Sequence, residues 1–237
     1  MSIDIAESIQ QNLDNIASEF AIEGGGDLSL KLSETVDNFL IKLGQHFFDK
    51  VAVFAVGGYG RRELSRYSDT DLFILYDLSD SERIEDWLKK FLHPLWDSRL
   101  DAKYSAHTLD EVYPKMDDDS DFASALIDAR ALPSNPVLIQ KFYSHLNEYF
   151  DKGNEEFLRI KMKEDQVRRR KYGNTYKLLE PNIKESAGGQ RDLHTIQWLL
   201  VAKGFRKPGV TSEQTLATYD LLHWMLNENL VTVREYA

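Results

Sequence analysis

A chain of 237 residues, 42% hydrophobic and 29% charged, is long enough to bury a substantial core and build one or two domains. A net charge of −10 excludes a general nucleic-acid binder held by counterion release, though not a local basic pocket, and the lack of cysteine excludes a disulfide framework or a thiolate metal site. No apolar run approaches the ~20 residues of a membrane helix, and the N-terminus Met1-Ser2-Ile3-Asp4-Ile5 lacks the basic and apolar regions of a signal peptide, so no membrane contact and a cytoplasmic location are expected.

In chain order, Ile5, Ile9, Leu13 and Ile16 recur at helical spacing and predict an amphipathic helix from residue 1 to about 22, ended by Gly24-Gly25-Gly26. A second helix is expected over Leu28 to Phe48, with Leu32, Val36, Phe39, Leu40 and Leu43 on its apolar face. Residues 1–50 read as helices that pack on a following domain. Val51 to Val56 are uniformly apolar and rich in β-branched types, which suits a strand covered on both faces. The run Gly57-Gly58-Tyr59-Gly60-Arg61-Arg62-Glu63 then predicts a sharp turn and a short helix. Gly57 and Gly58 leave no side chain between the backbone and a ligand, so their amides can approach a phosphate, with Arg61 beside them.

Ser68-Asp69-Thr70-Asp71 leads into a second apolar strand, Leu72-Phe73-Ile74-Leu75. Side chains alternate along a strand, so Asp69 and Asp71 face one way and Thr70 the other. Two carboxylates aimed at one spot repel, and a hard divalent cation offsets that repulsion. Magnesium, or manganese, takes such oxygens together with substrate phosphates, so the expected ligand is a metal with a nucleoside triphosphate. A strand, a Gly-Gly turn and an Asp-x-Asp pair about a dozen residues later, running into a second strand, resemble the nucleotidyltransferase fold of the DNA polymerase β type. The expected class is therefore α+β, a mixed sheet with helices followed by a helical domain. The resemblance implies a third carboxylate on a later strand; Asp101 in Leu100-Asp101-Ala102 fits it, with Asp97 in reserve.

Asp80-Ser81-Glu82 opens a predicted helix with Ile84, Trp87, Leu88, Phe91 and Leu92 on one face, and His93-Pro94 is expected to kink or interrupt it. A strand is expected from Ala102 to Leu109, a solvated loop or helix start at Asp117-Asp118-Asp119, and a helix from Phe122 to Leu132. Pro133-Ser134-Asn135-Pro136 marks the expected boundary between a catalytic domain over 51–135 and a helical domain over 136–237. Helices are predicted over Val137 to Phe150 and Glu155 to Tyr172; Arg168-Arg169-Arg170-Lys171 at the end of the latter suit either the helix dipole or a triphosphate clamp. A glycine-closed loop from Leu179 to Gly189 then opens a helix running through Ile196 and Leu200, and places Lys184 and Arg191 where free helix amides already favour anions.

The run from Arg169 through Tyr172-Gly173, Leu179-Glu180-Pro181-Asn182-Ile183-Lys184-Glu185, Gly188-Gly189, Arg191-Asp192-Leu193 and Thr195-Ile196-Gln197-Trp198 resembles the PII uridylyltransferase family. Gly57-Gly58-Tyr59-Gly60-Arg61, Glu63-Leu64, Ser68-Asp69 and Asp71 follow the same family's pattern. The resemblance implies uridylyl transfer from UTP to a tyrosine hydroxyl of the trimeric PII signalling protein. It makes Asp69, Asp71 and Asp101 metal ligands, Asp101 also an activator of the tyrosine, and Gly57, Gly58, Arg61, Ser68, Lys184 and Arg191 nucleotide contacts. The family usually has glutamate at Asp101, followed by Gly-His-Ser-Val-Arg; here Ala102-Lys103-Tyr104-Ser105-Ala106-His107 follows a shorter acid. Ser186-Ala187 replace the more usual Gly-Pro, and Gln190 a leucine. No His-Asp dipeptide of a uridylyl-removing phosphohydrolase occurs, so neither removal activity nor glutamine control is expected from these residues, and the chain is expected to be a piece of a longer protein. The alternatives are a related enzyme using ATP or another acceptor, and a non-enzymatic nucleotide sensor, against which the three acids argue.

Overall fold

A computed structural model of the chain describes residues 9–18, 28–151, 154–173, 182 and 184–209. The start of the first predicted helix, the Gly24-Gly25-Gly26 stop, and Leu179-Glu180-Pro181 and Ile183 of the second motif lie outside them. The chain divides into two units, one taking residues through Lys115 together with Asp128–His145, the other taking Met116–Ile127 and the chain from Leu146 on.

In the first unit the apolar runs become the two central strands of a four-stranded sheet, β1 (Ala52–Ala55) and β2 (Thr70–Leu75), with β3 (Ala102–His107) and β4 (Arg130–Ala131) at the edges in the order β3-β2-β1-β4. β1 pairs antiparallel with β2 and β4, whereas β3 runs parallel to β2, so the sheet is mixed. Both faces of the two central strands are covered, which explains why Ala52–Ala55 and residues 72–75 lack polar alternation. One face sets Val53, Ala55, Leu72 and Ile74 in a core with α1 (residues 9–18), α2 (Leu28–Gly44) and α4 (Ile84–Asp97). The other stacks Phe54 and Phe73 on Phe142 of α7 (Pro136–Asp151), with ring centroids 4.3 and 5.4 Å away. Arg66 fastens α1 to the segment before β2 through Asp14 at 2.6 Å and Gln10 at 2.9 Å.

Between β1 and β2 lies the one-turn helix α3 (Gly57–Gly60), held by a buried polar network. Arg130 grips both carboxylate oxygens of Asp37 at 2.8 and 3.0 Å, and donates to the Gly60 carbonyl at 3.3 Å. Tyr59 donates its hydroxyl to Asp37 at 2.5 Å; burial, then the Asp37 charge, pushes that phenol well above its ordinary range. Arg61 is ion-paired with Asp128 and with Glu63, the latter at 2.9 Å. A Cβ on Gly60 would stand 2.3 Å from the Asp128 carbonyl oxygen and 2.8 Å from that of Ala55, so only glycine fits.

Three expectations are corrected. Pro94 lies inside α4, which continues to Asp97 instead of breaking, because Leu88, Phe91, Leu92 and Leu95 hold it against the core while proline removes a single helical hydrogen bond. β3 stops at His107: Thr108 donates its amide and hydroxyl to Glu111 at 2.7 and 3.1 Å, a cap that starts α5 (Leu109–Asp118). The predicted helix over Phe122 to Leu132 is only α6 (Ser120–Ile127); Arg130–Ala131 pair with Phe54 and Ala55 as β4, tertiary pairing having overridden the periodicity. Asp119 at the end of the acidic run caps α6, accepting from the amides of Asp121 and Phe122 at 3.0 Å each.

In the second unit α6 packs with α8 (Glu155–Tyr172) and α9 (Gln190–Ala202). Their shared centre is Lys161, whose side chain is 1% exposed, bonded to Asp121 at 3.0 Å and Glu164 at 2.8 Å, with its ammonium 5.2 Å from the Trp198 ring centroid. Among the described residues no helix is long and apolar enough to cross a membrane.

Two substitutions test what holds α3. Gly60→Ala is expected to lower unfolding free energy in urea by about 3 kcal/mol, because the opposing atoms are backbone carbonyls that cannot rotate away. Asp37→Ala leaves the Arg130 guanidinium buried without its counter-charge and is expected to cost about 3 kcal/mol in the same assay.

Candidate functional site

The ends of β1, β2 and β3 are tied together where the acids stand. Val56 donates its amide to the Asp71 carbonyl at 3.0 Å, and Thr70 donates to the Asp101 carbonyl at 2.7 Å. The register pairs Thr70 with Ala102 and Asp71 with Lys103. Thr70 is 1% exposed and belongs to the interior, whereas Asp69 immediately before it has a side chain 42% exposed. The alternation expected of Asp69-Thr70-Asp71 is thus present, and the same alternation on β3 sets Asp101 and Lys103 on the face that carries Asp69 and Asp71.

That face bears three acids and one base. The Lys103 ammonium is ion-paired with Asp69. The hydrogen bond and charge of Asp69, with the charges of Asp101 and Asp71 added, hold the ammonium above its ordinary range. Gly57 has a φ of +58°, a left-handed conformation that favours glycine, and the point where its Cβ would begin lies 3.6 Å from Asp71 Oδ2. The glycine turn therefore lies directly against the second acid. The corresponding point on Gly58 lies 4.0 Å from Arg61 Nη2.

The remaining sequence candidates of this unit take distinct places. Arg61 points inward to Asp128 and Glu63; these two acids outweigh the effect of burial and keep the guanidinium charged. Ser68 closes a small turn, its hydroxyl accepting from the Ser65 amide at 2.9 Å and lying 2.8 Å from the Ser65 hydroxyl. Asp101 is exposed just before β3, and the reserve candidate Asp97 is exposed at the end of α4. Asp69 and Asp71 are hard oxygen donors sharing one strand face, a donor set suited to magnesium or manganese. Among the described residues no three acids or histidines are gathered closely enough to form a ready cluster.

In the second unit, Lys184 and Arg191 lie on and just after a loop pinned to α8. Asn182 accepts from the amides of Lys184 and Glu185 at 3.0 and 2.9 Å, and Arg191 returns its amide to the Lys184 carbonyl at 2.8 Å. Arg168 donates to the Glu185 carbonyl at 2.7 Å and is ion-paired with Asp165 and Asp192. Arg191 lies over the Trp198 ring at 5.5 Å, with Glu185 3.6 Å from its guanidinium. Lys184 is exposed, as are Arg170 and Lys171 at the end of α8.

Sequence reasoning missed Asp37, Asp128 and Arg130, whose roles depend on partners far along the chain. Lys103 carried a readable signal: two residues after Asp101 on a strand, it shares that acid's face.

A profile of the family described as GlnD PII-uridylyltransferase matches residues 156–237. A bifunctional uridylyltransferase/uridylyl-removing enzyme of Photobacterium profundum is 36% identical over 203 residues, 80% of this chain and 23% of that protein. Its namesake from Pseudoalteromonas translucida is 36% identical over 194 residues, 80% of this chain and 22% of the relative. The Ralstonia nicotianae protein of the same name is 38% identical over 180 residues, 75% of this chain and 21% of the relative. The chain spans less than a quarter of the length of these relatives. With its fold and its Asp-x-Asp strand, the chain is similar over most of its length to one part of the bifunctional uridylyltransferase/uridylyl-removing enzymes.

Proposed function

We propose that this chain carries the nucleotidyl-transfer chemistry of these relatives, moving a uridylyl group from UTP to a tyrosine hydroxyl of the PII signalling protein and releasing pyrophosphate. The observation that carries the reading is the sheet face that Asp69, Asp71 and Asp101 share by register and alternation, with the backbone of Gly57 against Asp71. A cytoplasmic location accompanies it.

Asp69 and Asp71 would hold magnesium, or manganese, in a two-metal arrangement completed by Asp101. The ions supply the positive charge that polarises the α-phosphate and offsets the charge on departing pyrophosphate. Gly57 and Gly58 leave their backbone bare for the triphosphate, and Ser68, next to Asp69 in sequence, closes the turn that leads into the acid strand. Arg61 serves binding by fixing the turn through Asp128 and Glu63. Within the second unit, Lys184 and Arg191 are cationic groups suited to binding an anion. Asp101 accepts the proton of the tyrosine hydroxyl as its oxygen forms a bond to the α-phosphorus. The bond from that phosphorus to the bridging oxygen breaks, and pyrophosphate leaves with the electron pair.

The test incubates the protein with magnesium, PII and each α-labelled nucleoside triphosphate in turn. Label should appear on PII from UTP alone and fall about 100-fold or more in Asp69→Ala and Asp71→Ala. The same acid-dependent transfer from ATP would replace uridylyl transfer with adenylyl transfer. Metal-dependent nucleotide binding without transfer to PII would make the chain a sensor.

A further inference from the structure

Lys103 has no part in the mechanism above, yet its ammonium ends among the three acids that do. Register places it opposite Asp71 and alternation places it on the face of Asp101. Its Nζ is paired with Asp69. Both side chains are well exposed, 61% for the lysine and 42% for the aspartate, and an exposed pair of this kind adds little to folding stability. Its larger effect is on the acids themselves. Like-charged carboxylates sharing one face need a counter-charge, and a compact ammonium on a flexible four-carbon stem can supply one and then swing away.

We propose that Lys103 is a built-in counter-cation for this acid face and competes with a divalent metal for Asp69, which makes metal binding weak until the ammonium is displaced. The inference rests on the reading of Asp69 and Asp71 as metal ligands. A metal entering the face must take carboxylate oxygen from the lysine and also meets its positive charge. A triphosphate arriving with the metal relieves both costs, because its phosphate oxygens complete the coordination and give the displaced ammonium a new anion. Lys103 thereby favours entry of the metal together with nucleotide over entry of the metal alone.

Titration of the protein with Mn2+ in the absence of nucleotide, following free Mn2+ by electron paramagnetic resonance, tests this without any measurement of activity. Lys103→Gln is expected to tighten Mn2+ binding about 5-fold at low ionic strength, with the gain shrinking as salt is added. Lys103→Arg, which keeps the charge, should stay close to the wild-type protein. Asp71→Ala supplies the control for the site. If Mn2+ binds in an Asp71-dependent way and Lys103→Gln leaves the affinity unchanged or weaker, the competition is overturned and the metal reading stands. If neither the wild-type protein nor Lys103→Gln binds Mn2+ in an Asp71-dependent way, both are overturned.

Discussion

The carbonyl oxygens of Ala55 and Asp128 approach the Cα of Gly60 so closely that a methyl group there would meet one at 2.8 Å and the other at 2.3 Å. That approach lets the chain leave β1, make one helical turn and return along β2 without leaving the sheet. It also lays the Gly57 backbone against the Asp71 carboxylate. Any side chain at Gly60 would lift the turn and separate the Gly57 backbone from the Asp71 carboxylate. The spacing between the two halves of the site is thus a packing constraint beneath the site, set by atoms that touch no ligand.

Around that contact, charge is used in two ways. Arg130 with Asp37, and Arg61 with Asp128, are buried pairs with side chains between 6% and 13% exposed, and each binds the α3 turn to an element distant in sequence. Removing one partner of such a pair strands the other charge out of water, so these contacts specify one arrangement of the turn. The Lys103–Asp69 pair is the opposite case. It is open to solvent, inexpensive to break and located on the acid-bearing face, which are the properties of an exchangeable counter-ion rather than a fastening. Arginine, with its planar fork, does the fastening, and lysine, a compact charge on a flexible stem, occupies the exchangeable position.

The second unit departs from that division, since there a buried lysine does the fastening. Lys161 draws Asp121 of α6 and Glu164 of α8 around an ammonium that also faces Trp198 of α9. Arg168 at the basic end of α8 is bound to the Glu185 carbonyl and to Asp165 and Asp192, so part of a run readable as an anion clamp instead anchors the loop that carries Lys184. The exposed members, Arg170, Lys171 and Lys184, are the ones that face water. A run of like charges in sequence therefore separates into structural and available groups only when each has found its neighbours.

Local features of this protein were legible because their cause is local. The unbroken apolar run at β1, the glycines of α3 and the alternation at Asp69-Thr70-Asp71 follow from strand periodicity and backbone sterics over a few residues, and they sufficed for the strand, the turn and the acid face. Pro94 and the β4 edge misled for the complementary reason. Local propensity marked one as a break and the other as helix, while burial of α4 and pairing with β1 decided otherwise. The partners that hold the turn, Asp37 with Arg130 across 93 residues and Arg61 with Asp128 across 67, have no signature in their own neighbourhoods. What the sequence by itself determined is which residue types stand on one strand face and where the backbone can turn. Only the tertiary structure decided that Arg61 supports the turn from within and that Lys103 stands among the acids, because both depend on strand register and on charges that meet after the chain has folded.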